Sequence, residues 1–443
     1  MSTAAMPEFP AGFRWGVSTS AYQIEGGVDE NGRGASIWDT FAHTPGRVAD
    51  GSTGDVACDH YHRHAEDVAL LAGLGVSAYR FSIAWPRVRP TGDGPVDARG
   101  LDFYDRLVDD LLAHGVDPVA TLFHWDLPQA LEDAGGWLNR DTAHRFAEYA
   151  DATAARLGDR VKLWITLNEP FIHMSLGHGT GEHAPGRTLL FDAFPVAHHQ
   201  LLAHGLAVAA LRARTASPVA IANNYSPVRP AGDTDADRAA VAAYEALHDR
   251  LFTDPLFGRG YPAELGFDTA VVRAGDLDVI AAPIDVLGVN YYNPTGVRAP
   301  QEGSPLPFEF VPLDGYPRTA FDWPVAPDGL RELLGWLHRT YADDLPPIQV
   351  TESGCAYDDT PDADGRVHDP ERIAYLDGHL RAVRAAMAEG VDVTGYFVWS
   401  LLDNWEWAEG FTKRFGLVHV DFDTQLRTPK SSYAWFRDLI ARP

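Results

Sequence analysis

Short apolar runs alternate along this chain with stretches whose apolar positions recur every three or four residues, the periods of strand and helix respectively. Phe13-Arg14-Trp15-Gly16-Val17-Ser18-Thr19-Ser20 reads as a first strand, Tyr79-Arg80-Phe81-Ser82-Ile83 as a second and Val119-Ala120-Thr121-Leu122-Phe123-His124 as a third. A fourth run, Val161-Lys162-Leu163-Trp164-Ile165, leads into Thr166-Leu167-Asn168-Glu169-Pro170, where Pro170 stops the strand by removing a ladder donor. Four more follow at Val219-Ala220-Ile221-Ala222, Asp285 to Asn290, Ile348 to Glu352 and Gly395 to Trp399. Helical spacing appears at Val68, Leu71 and Leu74, closed by Gly75, and at Leu107, Val108, Leu111 and Leu112, ended by Gly115. Further helices run through Phe146, Tyr149 and Ala150, over Ala193–Arg214, and through Ile373, Leu376, Leu380 and Val383 behind an Asp369-Pro370 cap.

Strands alternating with helices demand parallel neighbours, right-handed crossovers and helices on the outside. Eight such units without an obvious linker favour one closed (β/α)8 TIM barrel spanning residues 1–443 over an open doubly wound sheet. No Gly-x-Gly-x-x-Gly follows the first strand, which weakens a dinucleotide-binding reading. The long turn-rich segment from Gly26 to about Gly54 and the Pro-rich stretch from Ala299 to Asp328 are expected as elaborated surface loops, the latter on the catalytic face.

A formal net charge of −26 argues against nucleic acid or an anionic membrane as partner, since both need a basic patch. Cys58 and Cys355 form no Cys-x-x-Cys pattern, so a reducing compartment is the default. The first twenty residues lack a basic segment followed by an apolar core, and no apolar run reaches the length of a membrane span. The expectation is a soluble, cytoplasmic protein with no membrane partner.

In a barrel, polar residues at the C-terminal ends of strands are the catalytic candidates. They are Gln23, Arg80, His124-Trp125, Asn168-Glu169, Asn290-Tyr291-Tyr292, Glu352 and Trp399. Two of them are carboxylates, at the ends of the fourth and seventh strands, which face each other across an eight-stranded mouth. Such a pair is what glycoside hydrolysis requires, one group protonating the leaving oxygen and the other attacking the anomeric carbon. The arrangement is chemically complete without a metal or other cofactor. Glu169, between an apolar strand and a proline, is partly desolvated and its pKa raised. Arg80 and Tyr292 can hold Glu352 ionised, and Asn168 can bind the hydroxyl next to the anomeric carbon.

Thr166-Leu167-Asn168-Glu169-Pro170 and Val350-Thr351-Glu352-Ser353-Gly354 resemble the two glutamate motifs of glycoside hydrolase family 1, the β-glucosidase family. The resemblance extends over Phe13–Glu25, Tyr79–Pro86, Phe123-His124-Trp125, Asn290-Tyr291-Tyr292 and Trp399–Gly416, nearly the whole chain. It implies a retaining mechanism with Glu169 as acid/base and Glu352 as nucleophile. It also implies a glycone held among Gln23, His124, Trp125, Asn168, Glu169, Tyr292, Trp399, Glu406 and Trp407, with substrates that are small β-glucosides or cello-oligosaccharides. The chain departs from the family pattern at Ser353, where Asn is usual, and at Trp405, where Phe is commoner; activity is expected to survive both. The phospho-specific branch has Ser at the place of Glu406 with Lys and Tyr downstream. Here Lys413 is present but Phe415 replaces the Tyr, which favours a non-phosphorylated sugar. Alternatives are a β-galactosidase or β-fucosidase preference, transglycosylation, or a non-catalytic sugar-binding barrel.

Remaining clusters carry plainer expectations. His60, His62 and His64 alternate without a strand or helix context that would converge three rings, so metal ligation is not expected. His198-His199 lies on a long helix as a packing or loop contact, and Cys355 reads as a small buried thiol. His173, Met174 and Trp323 are candidates for aglycone contact.

Overall fold

The computed structural model describes residues 6–266 and 268–442. Eight parallel strands close into a barrel: β1 (Arg14–Ser18), β2 (Ala78–Ser82), β3 (Asp117–Phe123), β4 (Leu163–Asn168), β5 (Val219–Asn224), β6 (Val286–Asn290), β7 (Ile348–Ser353) and β8 (Val393–Trp399). Closure runs through β1 and β8, with Ser18 opposite Trp399. β2, β4, β6 and β7 are buried at every position, as strands covered on both faces must be, which is why they read as continuous apolar runs. Inside the ring, small side chains (Ala78, Ala220, Ala222) pack with Val119, Leu163, Ile165, Val286 and Phe397. Gly16 is required here: a Cβ at that position would stand 2.3 Å from the Phe397 ring.

The connecting helices form the outer layer: α1 (His60–Leu74), α2 (Ala98–Ala113), α3 (Asp141–Leu157), α4 (Phe194–Arg212), α5 (Asp235–Glu245), α6 (Pro327–Tyr341), α7 (Pro370–Ala388) and α8 (Ser431–Ile440). Gly75 ends α1 in the left-handed region at φ +80°, its N–H donating to the carbonyls of Leu71 and Ala72. At α7, Asp369 occupies the cap position but its carboxylate does not cap. It accepts instead from Arg372 and from the Ser432 amide and hydroxyl, a charged donor outcompeting the helix's own amides.

Two loop expectations change. The segment from Gly26 to Gly54 contains a helix, Ile37–Ala42, closed by a Ser36/Asp39 capping box that its sequence carries, and Trp38 on it is fully buried. The Pro-rich stretch contributes Glu309–Val311 to a small sheet with Thr295–Arg298 and Val228–Pro230, in which Phe308 is buried beside Tyr244. At two strand ends the ladder slips, between Ile165 and Asn168 on β4 and between Val350 and Glu352 on β7. Such bulges re-aim side chains, and both lie where a carboxylate leaves the barrel.

Candidate active site

β4 ends at Asn168, and Glu169 follows in the left-handed conformation at φ +44°, joined to a short helix, Pro170–Met174. Pro170 therefore starts a helix as much as it stops a strand, its fixed φ suiting the first helical position. A non-glycine residue in this region costs roughly 1–3 kcal/mol. Trp125 at φ +77° and Trp407 at φ +49° share the feature, and all three line one cavity of about 390 Å³ at the barrel mouth.

Glu352 lies opposite at the end of β7, 3% exposed, against 6% for Glu169. Arg80 on β2 donates to Glu352 Oε1 at 2.8 Å and the Tyr292 hydroxyl to Oε2 at 2.7 Å. The guanidinium is itself fixed by the Thr351 carbonyl at 2.9 Å, Thr121 Oγ1 at 3.2 Å and Asn168 Oδ1 at 2.5 Å. Asn290 on β6 donates to both Asn168 Oδ1 (3.0 Å) and Glu169 Oε1 (2.8 Å), and its own Oδ1 accepts from Thr351. One connected set of hydrogen bonds thus runs from the first carboxyl to the second.

The two carboxyls differ in what surrounds them. Burial and then the charge of Glu352 push Glu169 well above the usual carboxyl range, and its one hydrogen bond is to a neutral amide. Burial raises Glu352 too, but Arg80 and the Tyr292 hydroxyl pull it back. With one proton between them, it resides on Glu169. Glu406 is raised to about 8 by burial and then by Glu352.

His124, Trp125, Glu169, Asn290, Tyr292, Glu352, Trp399, Glu406 and Trp407 line the cavity. His124 is neutral, its pKa driven down by burial and by Arg80; its ring stacks at 5.8 Å on Trp399 and 5.9 Å on Trp407. Gln23, Asn168 and Arg80 stand directly behind the wall, each at most 1% exposed. Gln23 Nε2 donates to Asn404 Oδ1 (3.0 Å), the Trp405 carbonyl (3.1 Å) and Glu406 Oε2 (3.2 Å), fixing the loop after β8.

Of the aglycone candidates, Trp323 lines the cavity. His173 does not: its ring packs inward on Phe123 at 5.3 Å and His178 at 5.1 Å, and Ile172, one residue earlier on the short helix, faces the opening instead. Met174 lies in an adjoining apolar hollow. The sequence reading also missed Asn224, Tyr244 and His248, brought to the wall by β5, the end of α5 and the helical turn Ala246–Arg250 that follows it; Asn224 Nδ2 donates to His248 Nε2 at 2.9 Å. The position of Asn224 at a strand end was the available signal for the first of them.

The two departures from the family pattern are accommodated. Ser353 Oγ stands 3.4 Å from the Tyr375 hydroxyl, which in turn donates to the Tyr292 carbonyl at 3.3 Å. Trp405 is fully buried and donates to Ser52 Oγ at 3.0 Å. The alternating histidines do have a helical context, opening α1, and there the spacing splays them: His60 bonds Asp67, His62 bonds Asp59 and Glu30, and His64 pairs with Asp110. Among the described residues no group of three or more His, Cys, Asp or Glu is arranged to hold a metal ion. His198 bonds Tyr261 and Asp276, His199 the Trp137 carbonyl, and burial pushes the Cys355 thiol up to about 12.

The sequence matches the glycosyl hydrolase family 1 model over residues 5–443. It is 51% identical over 98% of its length to a thermostable β-glucosidase B of Thermobispora bispora, covering 91% of that protein. It is 47% identical, over 98% of both chains, to a bifunctional β-D-glucosidase/β-D-fucosidase of Bifidobacterium breve. The family 1 β-glucosidase structure from Thermotoga maritima superposes with a TM-score of 0.94 at 45% identity, over 98% of each chain. A closed parallel barrel, a facing carboxyl pair and a family match over nearly every residue agree: this chain belongs to glycosyl hydrolase family 1.

Proposed function

We propose that this enzyme is a retaining β-glucosidase that removes terminal non-reducing β-D-glucosyl residues by double displacement, the whole chain serving as one catalytic domain. The observation that carries the assignment of roles is the unequal support of the two buried carboxyls. Glu352 has a guanidinium and a phenol to hold it as an anion, whereas Glu169 has a neutral amide and a neighbouring negative charge. Glu352 attacks the anomeric carbon while Glu169 protonates the departing oxygen, and a glycosyl ester forms on Glu352. Esterification removes the Glu352 charge, the pKa of Glu169 falls, and Glu169 then takes a proton from the water that cleaves the ester. Asn290 is bonded to Glu169 and lies against Glu352, so one amide serves both carboxyls, and membership of glycosyl hydrolase family 1 supports retention over inversion.

His124, Glu406, Trp399 and Trp407 form the sugar-facing wall, with Trp125 and Tyr292 beside the reacting centre, and Gln23 and Asn168 complete the glycone set from behind. Asn168, between Arg80 and Asn290, is placed to bind the hydroxyl next to the anomeric carbon. A non-phosphorylated sugar is supported by Lys413, whose ammonium is already engaged: it donates to the Ala320 carbonyl at 3.0 Å, sits over the Phe321 ring and pairs with Glu409 at 3.8 Å. Small β-glucosides and cello-oligosaccharides, and with them a part in cellulose breakdown, are the substrates this wall fits. Activity on β-fucosides alongside glucosides is a second reading, favoured by the Bifidobacterium breve relative. Two unpaired, buried cysteines support a cytoplasmic location; no helix among the described residues is long and apolar enough to cross a membrane.

The test is hydrolysis of an aryl β-glucoside by wild type and Glu352→Gly. The variant should lose roughly 10⁵-fold or more, the scale on which removal of a covalent nucleophile acts. Azide should restore turnover and yield the glycosyl azide of inverted configuration. Undiminished activity in Glu352→Gly would sink the nucleophile assignment.

A further inference from the structure

Beside the catalytic cavity lies a second hollow of about 360 Å³, walled by Phe171, Met174, Leu247, Leu306, Phe308 and Phe310. The two share Ile172, Leu176, Glu182, Tyr244 and His248, so they lie side by side along a common wall. Polarity is graded along the passage. The shared end carries Glu182 and His248, the latter bonded to Asn224; beyond it the wall is built from aliphatic and aromatic side chains with Ser175 and Thr180. Tyr244 is the partition, stacked on His248 at 5.2 Å and meeting Phe308 at 5.1 Å and Phe310 at 5.6 Å edge-on.

The outer rim is exposed apolar surface. Among the described residues seven large hydrophobic side chains are exposed, and three of them, Leu190 (49%), Phe191 (38%) and Phe310 (61%), border this one hollow. Scattered exposed hydrophobics need no explanation, but a cluster around a concavity marks a binding surface. None of these residues belongs to a barrel strand; they come from the loops after β4 and β6, and from the end of α5. The barrel thus fixes the sugar end, and added segments build the apolar end.

We propose that this hollow receives the apolar tail of the aglycone, so that the enzyme prefers amphiphilic β-glucosides whose aglycone is an unbranched alkyl chain. The proposal rests on the β-glucosidase reading and extends it to the leaving group. Its position against the catalytic cavity names the occupant: a chain attached to the glycosidic oxygen passes Ile172 and Leu176 and then meets a mainly aliphatic and aromatic wall, broken by Ser175 and Thr180. A cello-oligosaccharide would place hydroxyls against Phe308 and Leu306 with few polar partners. The tail contributes binding energy remote from the reacting centre, available to both ground and transition states.

The experiment is kcat/KM for methyl, butyl, hexyl, octyl and decyl β-glucosides, each below its micelle threshold. Once the tail passes Tyr244, each added methylene should raise kcat/KM, by up to about fourfold at full burial. Phe310→Asp and Leu190→Asp, both at exposed rim positions, should flatten that rise and lower octyl-glucoside turnover at least fivefold, with methyl-glucoside turnover unchanged. A flat chain-length series in wild type overturns the proposal, as does a series that rises equally in the rim variants. Loss of a solution dimer in Phe310→Asp with an unchanged chain-length series also overturns it, since the hollow would then be a surface between copies. Methyl-glucoside hydrolysis keeps the two readings apart: its presence in wild type upholds the β-glucosidase assignment whatever the tail series does.

Discussion

Two buried regions of this molecule each hold three carboxylates, and they treat them in opposite ways. Around Lys430, below the loops that follow β7 and β8, Asp359, Asp369 and Asp403 are met by Arg372, Lys430 and Arg414 at 2.6–2.9 Å. At the barrel mouth Glu169, Glu352 and Glu406 have, among the described residues, only Arg80 in ion-pair contact. Burial penalises charge in both places. In the first region Lys430 and Arg414 overcome it and Asp403 ends below its usual range; in the second, Glu169 and Glu406 end above theirs. The ratio of cations to carboxyls therefore decides whether a buried acid is a fixed anion that joins loops or a proton carrier. A mouth with three guanidiniums would be more stable and unable to protonate a leaving group.

The sharpest way to test the proton-carrier half is Glu169→Ala. With sugar or alkyl leaving groups kcat/KM should fall by roughly 10²–10⁴-fold, the range for loss of a general acid. An aryl glucoside with an acidic phenol, which departs without protonation, should lose far less in the first step. The wild-type profile should be bell-shaped, with apparent values that belong to the pair. Its alkaline limb reports deprotonation of Glu169 and should vanish in the variant, while the acid limb from Glu352 stays. Survival of the alkaline limb would mean the proton sits elsewhere, and the contrast between the regions would fail.

The fixed-anion half is tested by Lys430→Met. Removing one partner of a buried ion pair typically costs about 3–5 kcal/mol, because the remaining charges are left uncompensated. Urea unfolding at neutral pH should show a loss of that order, while the pH optimum of the folded enzyme stays where it was. The sign with pH follows from Asp403. Its folded pKa is depressed, so its contribution is present above the unfolded value of ~3.9 and is lost as pH falls through the folded value. A shifted pH–rate profile in Lys430→Met would show that the two regions are coupled, not parallel.

The two regions were unequally legible in the sequence. The barrel strands declared themselves because burial on both faces leaves continuous Val, Ile and Leu runs, and the two glutamates because each ends such a run. The left-handed backbone at Trp125, Glu169 and Trp407 has no residue signature, since glycine is the usual marker and none of these is glycine. That Ile172 and not His173 faces the opening depends on where a one-turn helix starts, which Pro170 hides by looking like a strand terminator. Asn290 was legible as a strand end, but its bridging of Asn168 and Glu169 reaches across β5, from β6 to the end of β4, and depends on the register of all three strands. The Lys430 cluster was invisible for a similar reason: its members are spread from Asp359 to Lys430 and meet only when two loops fold together. The apolar hollow lies in the Pro-rich stretch and the loop after β4, where no period betrays which side chains converge.

The smallest expected effect discriminates most finely, because it separates stability from function at one residue. Glu406 is bonded by Gln23 and has its pKa raised to about 8. A raised folded pKa means the folded chain holds the proton more tightly than the unfolded one. The penalty is absent below the unfolded value of ~4.3, grows as pH rises above it, and levels off beyond the folded value. Glu406→Gln keeps the shape and the hydrogen-bonding capacity but removes the charge. It should therefore stabilise the fold at pH 8 and leave it unchanged at pH 4, as read from paired urea titrations. Turnover of glucosides should fall through KM more than through kcat if this carboxyl, which lines the cavity wall, binds the sugar as proposed. A variant destabilised at pH 8 would show that Glu406 is held as a paired anion, like Asp403, and the difference between the two regions would shrink to the catalytic pair alone.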